Sequence, residues 1–509
     1  MRVRRFASSR LAPAVFFLLA ALSVLGYLAV SRAGGYVGFA LDDAWIHQTY
    51  ARNLAQLHQF AFVPGQPSAG STSPLWTVML AVGYGLHINY LAWTYLLGAA
   101  LLGANAWLTY RLVLGLWPER TAAAWVAGAV TTVEWHLVWA AASGMETLLF
   151  TALVLAAFTL SPRRAGWLGV CVGVSILARP DGLVLLPFVL ARLVLAAWPE
   201  TSLATLDLSR LALQVLRFAL GFALLFGPYL AFNYWLAGAL WPNTFYAKQA
   251  EYAILRQWPL LKRIGLVLLP PFVGAQLLLA PGIVVAAWGG ARRRRWEAWL
   301  PLGWAVAFLA AYALRLPATY QHGRYLMPVI PVLLALGVGG SAAWLRLGGT
   351  ATDAPQRISW PRLLSRTWAA AFALVGVAFW ALGAQAYQAD VRIIETEMVQ
   401  TARWINGHTP STALVAAHDI GALGYFGQRR ILDMAGLISP DVIPLMGNDA
   451  GLHAWIVAAG ASYLVLAPGW DYPALVSSLA VTKVYTTEAP YSRAAGGQNM
   501  VVYRLDNAP

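Results

Sequence analysis

The chain is poor in cysteine and poor in acid. Its one cysteine, Cys171, lies inside an apolar run from Trp167 to Ala178, which excludes an intrachain disulfide and leaves no thiol cluster for metal or redox chemistry. Asp and Glu number 21 against 35 Lys and Arg, and charged residues make up only 11% of 509 positions. Soluble domains carry about a quarter charged residues, so most of this chain is not built for water. The formal charge of +14 does not point to nucleic acid, because the basic residues sit in short clusters between apolar runs rather than on a solvated face. There is no 20–50-residue repeat and no low-complexity tract.

What is abundant is hydrocarbon. The chain is 59% hydrophobic with 24 tryptophans and a mean hydropathy of +0.60, so lipid is its main solvent. Runs long enough to cross a bilayer lie near 12–31, 91–110, 121–142, 146–160, 165–180, 182–198, 213–236, 264–289, 298–314, 325–345 and 368–388, which predicts about eleven spans. The run Leu11 to Val30 follows Met-Arg-Val-Arg-Arg without a convincing cleavage site and reads as a retained first helix. The run Pro74 to Leu86 is shorter and opens on proline, so it reads as re-entrant or interfacial.

Arginine parity supports this layout, since cytoplasmic loops collect Lys and Arg. With the N-terminus inside, Arg2, Arg4, Arg5, Arg111, Arg120, Arg163, Arg164, Arg210, Arg292–Arg295, Arg346, Arg357 and Arg362 all fall inside. An odd number of spans then puts everything after Gln388 outside. That tail holds 10 acids against 7 Lys and Arg, and its β-like runs (Ala413–Ala417, Tyr463–Ala467, Met500–Arg504) alternate with helix-like ones (Arg392–Asn406, Leu452–Ala459). The expectation is an α-helical polytopic membrane domain over 1–388 and a small soluble extracytoplasmic α/β domain over 389–509.

Residues 1–388 contain so few acids that each can be placed. Glu119, Glu200, Asp207, Glu297 and Asp353 fall in cytoplasmic loops, whereas Asp42, Asp43, Glu134, Glu146, Asp181 and Glu251 fall at outer span ends or in outer loops. An acid at a membrane boundary is costly unless it is paired or faces water, which marks a functional site. Local readings compete: Asp42 fits an N-cap for an interfacial helix from about Ala44 to Leu57, Glu146 a cap for the next helix, and Asp181 a turn with a local ion pair. The convergence of several carboxylate-bearing loops on one face, with Lys248, His322 and Arg324 beside them, favours a shared site.

The ordered segments Leu41-Asp42-Asp43-Ala44, Gly70-Ser-Thr-Ser-Pro-Leu-Trp76, Gly144-Met-Glu-Thr147, Arg179-Pro-Asp-Gly182, Asn243-Thr-Phe-Tyr-Ala-Lys248 and Gly323-Arg-Tyr-Leu-Met-Pro328 resemble the GT-C superfamily of polytopic glycosyltransferases. Within it they look most like the branch of the mycobacterial terminal β-arabinofuranosyltransferase. The likeness continues through Asp419–Phe426 and Leu432–Leu437. Two departures are an Asp-Asp pair where many relatives have Asp-Glu, and Ser71 where an aromatic residue is expected.

The resemblance implies a polyprenyl-phosphate sugar donor taken from the outer leaflet of a bacterial cytoplasmic membrane. The acceptor is a hydroxyl of a cell-envelope glycan, lipid or protein. It implies Asp42 as general base, with Asp43 as second choice or acceptor-orienting residue. Lys248 and Arg324, and then Arg179, are the expected phosphate binders. Glu146 and Asp181 are expected to orient sugar hydroxyls or support those cations, with His322 also on the substrate-binding face. One-step displacement with one base inverts the anomeric centre. Some superfamily members use a divalent cation, for which Asp42, Asp43 and Glu146 offer hard oxygen ligands. Trp404, Tyr425 and Trp470 of the tail are available to stack on acceptor sugars. The competing classes are a flippase or transporter of lipid-linked glycans, for which the expected inverted repeats are not evident, and a silent scaffold.

Overall fold

The computed structural model describes residues 11–197, 208–292, 299–345, 360–466 and 472–506. The arginines at 2, 4, 5, 293–295, 346 and 357, the acids Glu200, Asp207, Glu297 and Asp353, and Trp470 lie outside the described residues. Among the described residues, seven helices are long and apolar enough to cross a membrane: Ala12–Ala33, Tyr90–Leu116, Pro180–Ala197, Leu208–Ala237, Ala275–Arg292, Tyr320–Ser341 and Trp360–His408. An eighth candidate is the pair Thr147–Thr159 and Pro162–Ala178, bent by 116°. The chain is a membrane protein with a mostly helical fold and a small C-terminal sheet region.

The eleven apolar runs coincide with helices, but several are broken where the sequence carries a reason. The run 121–142 splits at Glu134, whose carboxylate accepts from Leu137 N and so caps Trp135–Ala142. The run 264–289 splits around Pro270, Pro271 and Gly274, the last at φ 126°. The Pro74–Gly85 helix has 12 residues, about 18 Å at 1.5 Å per residue, too short for a core of about 30 Å. It packs against the helix Asp42–Leu57.

The last apolar helix runs from Trp360 to Ile393 and continues through a π turn at Ile394–Val399 into Gln400–His408. The π turn presents Glu397 to four donors, among them Asn499 Nδ2 and Met500 N at 2.8 Å, which anchors the C-terminal region to the end of the helix. A hairpin of β1 (Ala61–Val63) and β2 (Gln66–Pro67) lies between the helices Asp42–Leu57 and Pro74–Gly85. The C-terminal sheet contains β3 (Leu414–Ala417), β4 (Arg430–Asp433), β5 (Tyr463–Leu466), β6 (Val481–Thr486) and β7 (Val501–Leu505). Their order is β4-β3-β5-β7-β6, with β3 parallel to β4 and β5, and β7 antiparallel to β5 and β6. The three expected strands are present; β4 and β6 are additional.

The C-terminal region docks on the helix Asp42–Leu57. Arg52 donates to Tyr425 O at 2.9 Å and lies over the Tyr425 ring. Trp45 packs on Tyr425 and Phe426, and Tyr84 and Tyr425 share a 2.9 Å hydroxyl contact. Trp404 stacks on Tyr485 and His408. Trp404 and Tyr425, expected to meet acceptor sugars, thus pack within the protein.

Candidate functional site

The helix Asp42–Leu57 begins at Asp42, so its first turn carries both acids. The residue before it, Leu41, is extended and occupies the N-cap position expected of Asp42. The two carboxylates then diverge. Asp42 is buried and accepts from Gly421 N at 2.7 Å and Ala422 N at 2.8 Å, capping the short helix Gly421–Phe426 of the C-terminal region. Gly421 is required there, since a Cβ would sit 2.0 Å from the Asp42 carbonyl oxygen. Burial, and then the neighbouring Asp419, push the Asp42 carboxyl up to about 7 against the pull of the two N–H donors.

Asp43 points the other way, into a cavity of about 430 Å³. Of the eight residues expected at the site, Asp43, Glu146, Arg179, Asp181, Lys248 and Arg324 line it, and Asp42 and His322 do not. Leu437 brings the C-terminal region to its wall. The His322 imidazole instead pairs with Asp390 at 2.8 Å, edge-on to Trp135 and Trp139. Gln321 and His322 both adopt left-handed backbone, φ 53° and 60°, and this turn separates the ring from Arg324 two residues on.

Local breaks in the helices position each wall. Gly144, at φ 82° and pressed against Phe39 and Ala44, turns the chain so that Glu146 meets His47, one helical turn after Asp43, at 3.5 Å. Pro180 ends the preceding helix and leaves Arg179 extended. The Arg179 guanidinium then reaches Asp181 at 2.6 Å, the Tyr312 hydroxyl at 2.7 Å and Glu146 at 3.9 Å. Asn243 N bonds Ala69 O at 3.0 Å, and Thr72 bonds Thr244, holding the Lys248 helix over the site.

A second cationic group surrounds Asp43. Arg324 bonds Asp43, and Lys248 Nζ lies 3.9 Å from the same carboxylate. Both cations also donate to the Tyr325 hydroxyl, at 2.9 and 3.0 Å. Burial raises the Asp43 carboxyl, but Arg324 and then Lys248 outweigh it and hold it well below the usual carboxylate range. Arg324 is 6% exposed, and its Nε and Nη1 have no hydrogen-bond partner among the described residues. A buried guanidinium with two unspent donors is suited to a bidentate oxyanion such as phosphate.

Among the described residues, no three His, Cys, Asp or Glu side chains are grouped to hold a metal ion. The acids considered for one are engaged elsewhere: Asp42 by backbone N–H groups, Asp43 by Arg324 and Lys248, and Glu146 by His47 and Arg179. The donor set does not fit a divalent cation. Tyr312, Tyr325 and His47 were not anticipated. Tyr325 adjoins Arg324 in the motif and His47 follows Asp43 by four residues, which were available signals; Tyr312 lies in an apolar run and gave none.

The architecture has solved counterparts. ArnT from Cupriavidus metallidurans, bound to undecaprenyl phosphate, aligns over 97% of this chain and 98% of its own, with 15% identity and a TM-score of 0.60. The apo Archaeoglobus fulgidus oligosaccharyltransferase aligns over 90% and 70%, with 12% identity and a TM-score of 0.61. AglB from the same organism, in complex with an inhibitory peptide and a dolichol-phosphate, aligns over 89% and 69%, with 12% identity and a TM-score of 0.60. The fold is GT-C-like. Residues 387–503 match a family described as a domain of unknown function, DUF8728. No curated protein matches in sequence.

The docking contact at Asp42 carries its own prediction. Asp42→Ala orphans two buried N–H donors at about 1–3 kcal/mol each. Hydrogen exchange at residues 421–426 is therefore expected to quicken at least roughly 30-fold in the full chain. Unchanged exchange would show that Asp42 does not hold this helix.

Proposed function

We propose that the protein is a glycosyltransferase that moves a sugar from a polyprenyl-phosphate donor to a hydroxyl of a cell-envelope glycan, lipid or protein. The observation that carries the reading is Arg324, buried in the cavity wall with two unspent donors beside Lys248 and Asp43. Two fold neighbours were solved with polyprenyl-type phosphates, undecaprenyl phosphate and dolichol-phosphate. In this reading Arg324 and Lys248 hold the donor phosphate. Asp43 takes the proton of the acceptor hydroxyl, its oxygen attacks the anomeric carbon, and the sugar–phosphate bond breaks with its electron pair going to phosphate. One displacement inverts the anomeric centre.

The cations that bind the donor also quench the base. Without donor, Arg324 and Lys248 keep Asp43 a poor proton acceptor. A phosphate that draws those cations away restores its basicity, so the base turns on as the donor seats. Arg179, Glu146 and Asp181 also line the cavity, where they hold sugar hydroxyls. The site faces outside, the N-terminus lies in the cytoplasm of a bacterium, and residues 389–509 close over the membrane domain 1–388 on the acceptor side. The donor sugar is a hexose or a pentose.

The test is reconstitution in liposomes with polyprenyl-phosphate pentoses and hexoses and a panel of hydroxyl acceptors. The expected result is sugar transferred with release of polyprenyl phosphate. Donor that crosses the bilayer with its sugar still attached would replace this reading with transport.

A further inference from the structure

A second cavity, of about 1000 Å³, shares no lining residue with the first. It lies between the helices Ala12–Ala33, Thr121–Val133, Ile330–Ser341 and Trp360–Ile393, with Val126, Val130, Val338 and Phe372 among its walls. On the last helix its lining extends from Trp368 to Trp380, about 18 Å of rise, more than half the hydrocarbon thickness. Small residues open it. Ala129, Ala373 and Gly376 line it, and a Cβ at Gly376 would meet nothing nearer than Ala275 Cβ at 4.0 Å.

Physical chemistry limits what fills such a space. The crevice opens between helices long and apolar enough to cross a membrane, where the surrounding medium is hydrocarbon. Apolar cavities exclude water. At this depth the available filler is a hydrocarbon chain.

The polar end limits the head group. Glu134 lines the cavity there, with its carboxylate held by His136 Nδ1 at 2.8 Å, Leu137 N at 2.9 Å and Gln276 Nε2. A fixed carboxylate disfavours a phosphate by like charge. At the same end, Trp380 Nε1 has no hydrogen-bond partner among the described residues. A hydroxyl can donate to Glu134 and accept from Trp380. We propose that this crevice binds a membrane lipid with an uncharged, hydroxyl-bearing head, its chain between the helices and its head at Glu134, separate from any phosphate-linked lipid.

The experiment uses the full chain in nanodiscs, doped in turn with diazirine-tailed glucosyl diacylglycerol, phosphatidylglycerol and undecaprenyl phosphate. After photolysis, peptides are mapped by mass spectrometry. The glucosyl lipid is expected to label 126–133 and 372–380 about tenfold more than either phosphate lipid does. Ala129→Trp and Gly376→Trp should each remove that labelling while leaving labelling of Leu208–Ala237 unchanged, which also reports that the variants are folded. Glu134→Gln should raise labelling by the phosphate lipids toward that of the glucosyl lipid. Equal labelling by all three lipids in the wild type, or labelling that survives both tryptophans, would overturn the proposal. These readouts do not depend on sugar transfer, so they stand or fall apart from the function proposed above.

Discussion

Asp43→Asn is expected to lower kcat for sugar transfer by about a thousandfold, within the range for loss of a positioned general base. The substitution is nearly isosteric, so the cavity wall keeps its shape. Because the carboxylate competes with the donor for Arg324 and Lys248, its loss should leave the KM for donor unchanged or lower it. A purely structural role would raise KM or lower the folded fraction. The pH profile separates the two adjacent acids. With Asp43 held well below the usual range, the free protein keeps its base ionised, and kcat/KM stays flat as pH falls from 8 to 6. A base at Asp42, at about 7, would lose activity progressively below that pH.

The second large effect is at Arg324. Arg324→Gln removes the guanidinium that faces both Asp43 and the cavity, and kcat/KM is expected to fall by about a hundredfold to a thousandfold. It also leaves Asp43 with Lys248 alone, so the carboxyl rises. Activity that remains should then decline on acidification where the wild type does not. Arg324→Lys keeps the charge without the planar fork and should recover part of the rate and restore the flat profile. Equal loss in the Gln and Lys variants, with no change in pH dependence, would mean that Arg324 only supports the fold.

How much of this was legible depends on which residues carried their reason locally. The apolar runs marked the helices because hydrophobic length is a local property, and Pro180 marked a break, whereas the proline pair at 270–271 splits a run read as one span. The six acids and cations that meet in the cavity were visible because charge at a membrane boundary needs a reason. The choice between Asp42 and Asp43 was not visible. Adjacent helical residues differ by about 100° in direction, and only the docked C-terminal region, through Gly421 and Ala422, shows which one is spent as a cap. His322 misled for a similar reason, since a left-handed turn at Gln321 and His322 sends it to Asp390. Tyr312 reaches Asp181 and Arg179 only through the packing of distant helices.

The most direct measurement is a cryo-EM structure of the full chain with undecaprenyl phosphate bound. The account predicts the phosphate in the 430 Å³ cavity, within hydrogen-bonding distance of Arg324 Nε and Nη1 and of Lys248 Nζ, with Arg324 drawn away from Asp43. A phosphate bound elsewhere, with the Arg324–Asp43 pair intact, would contradict it.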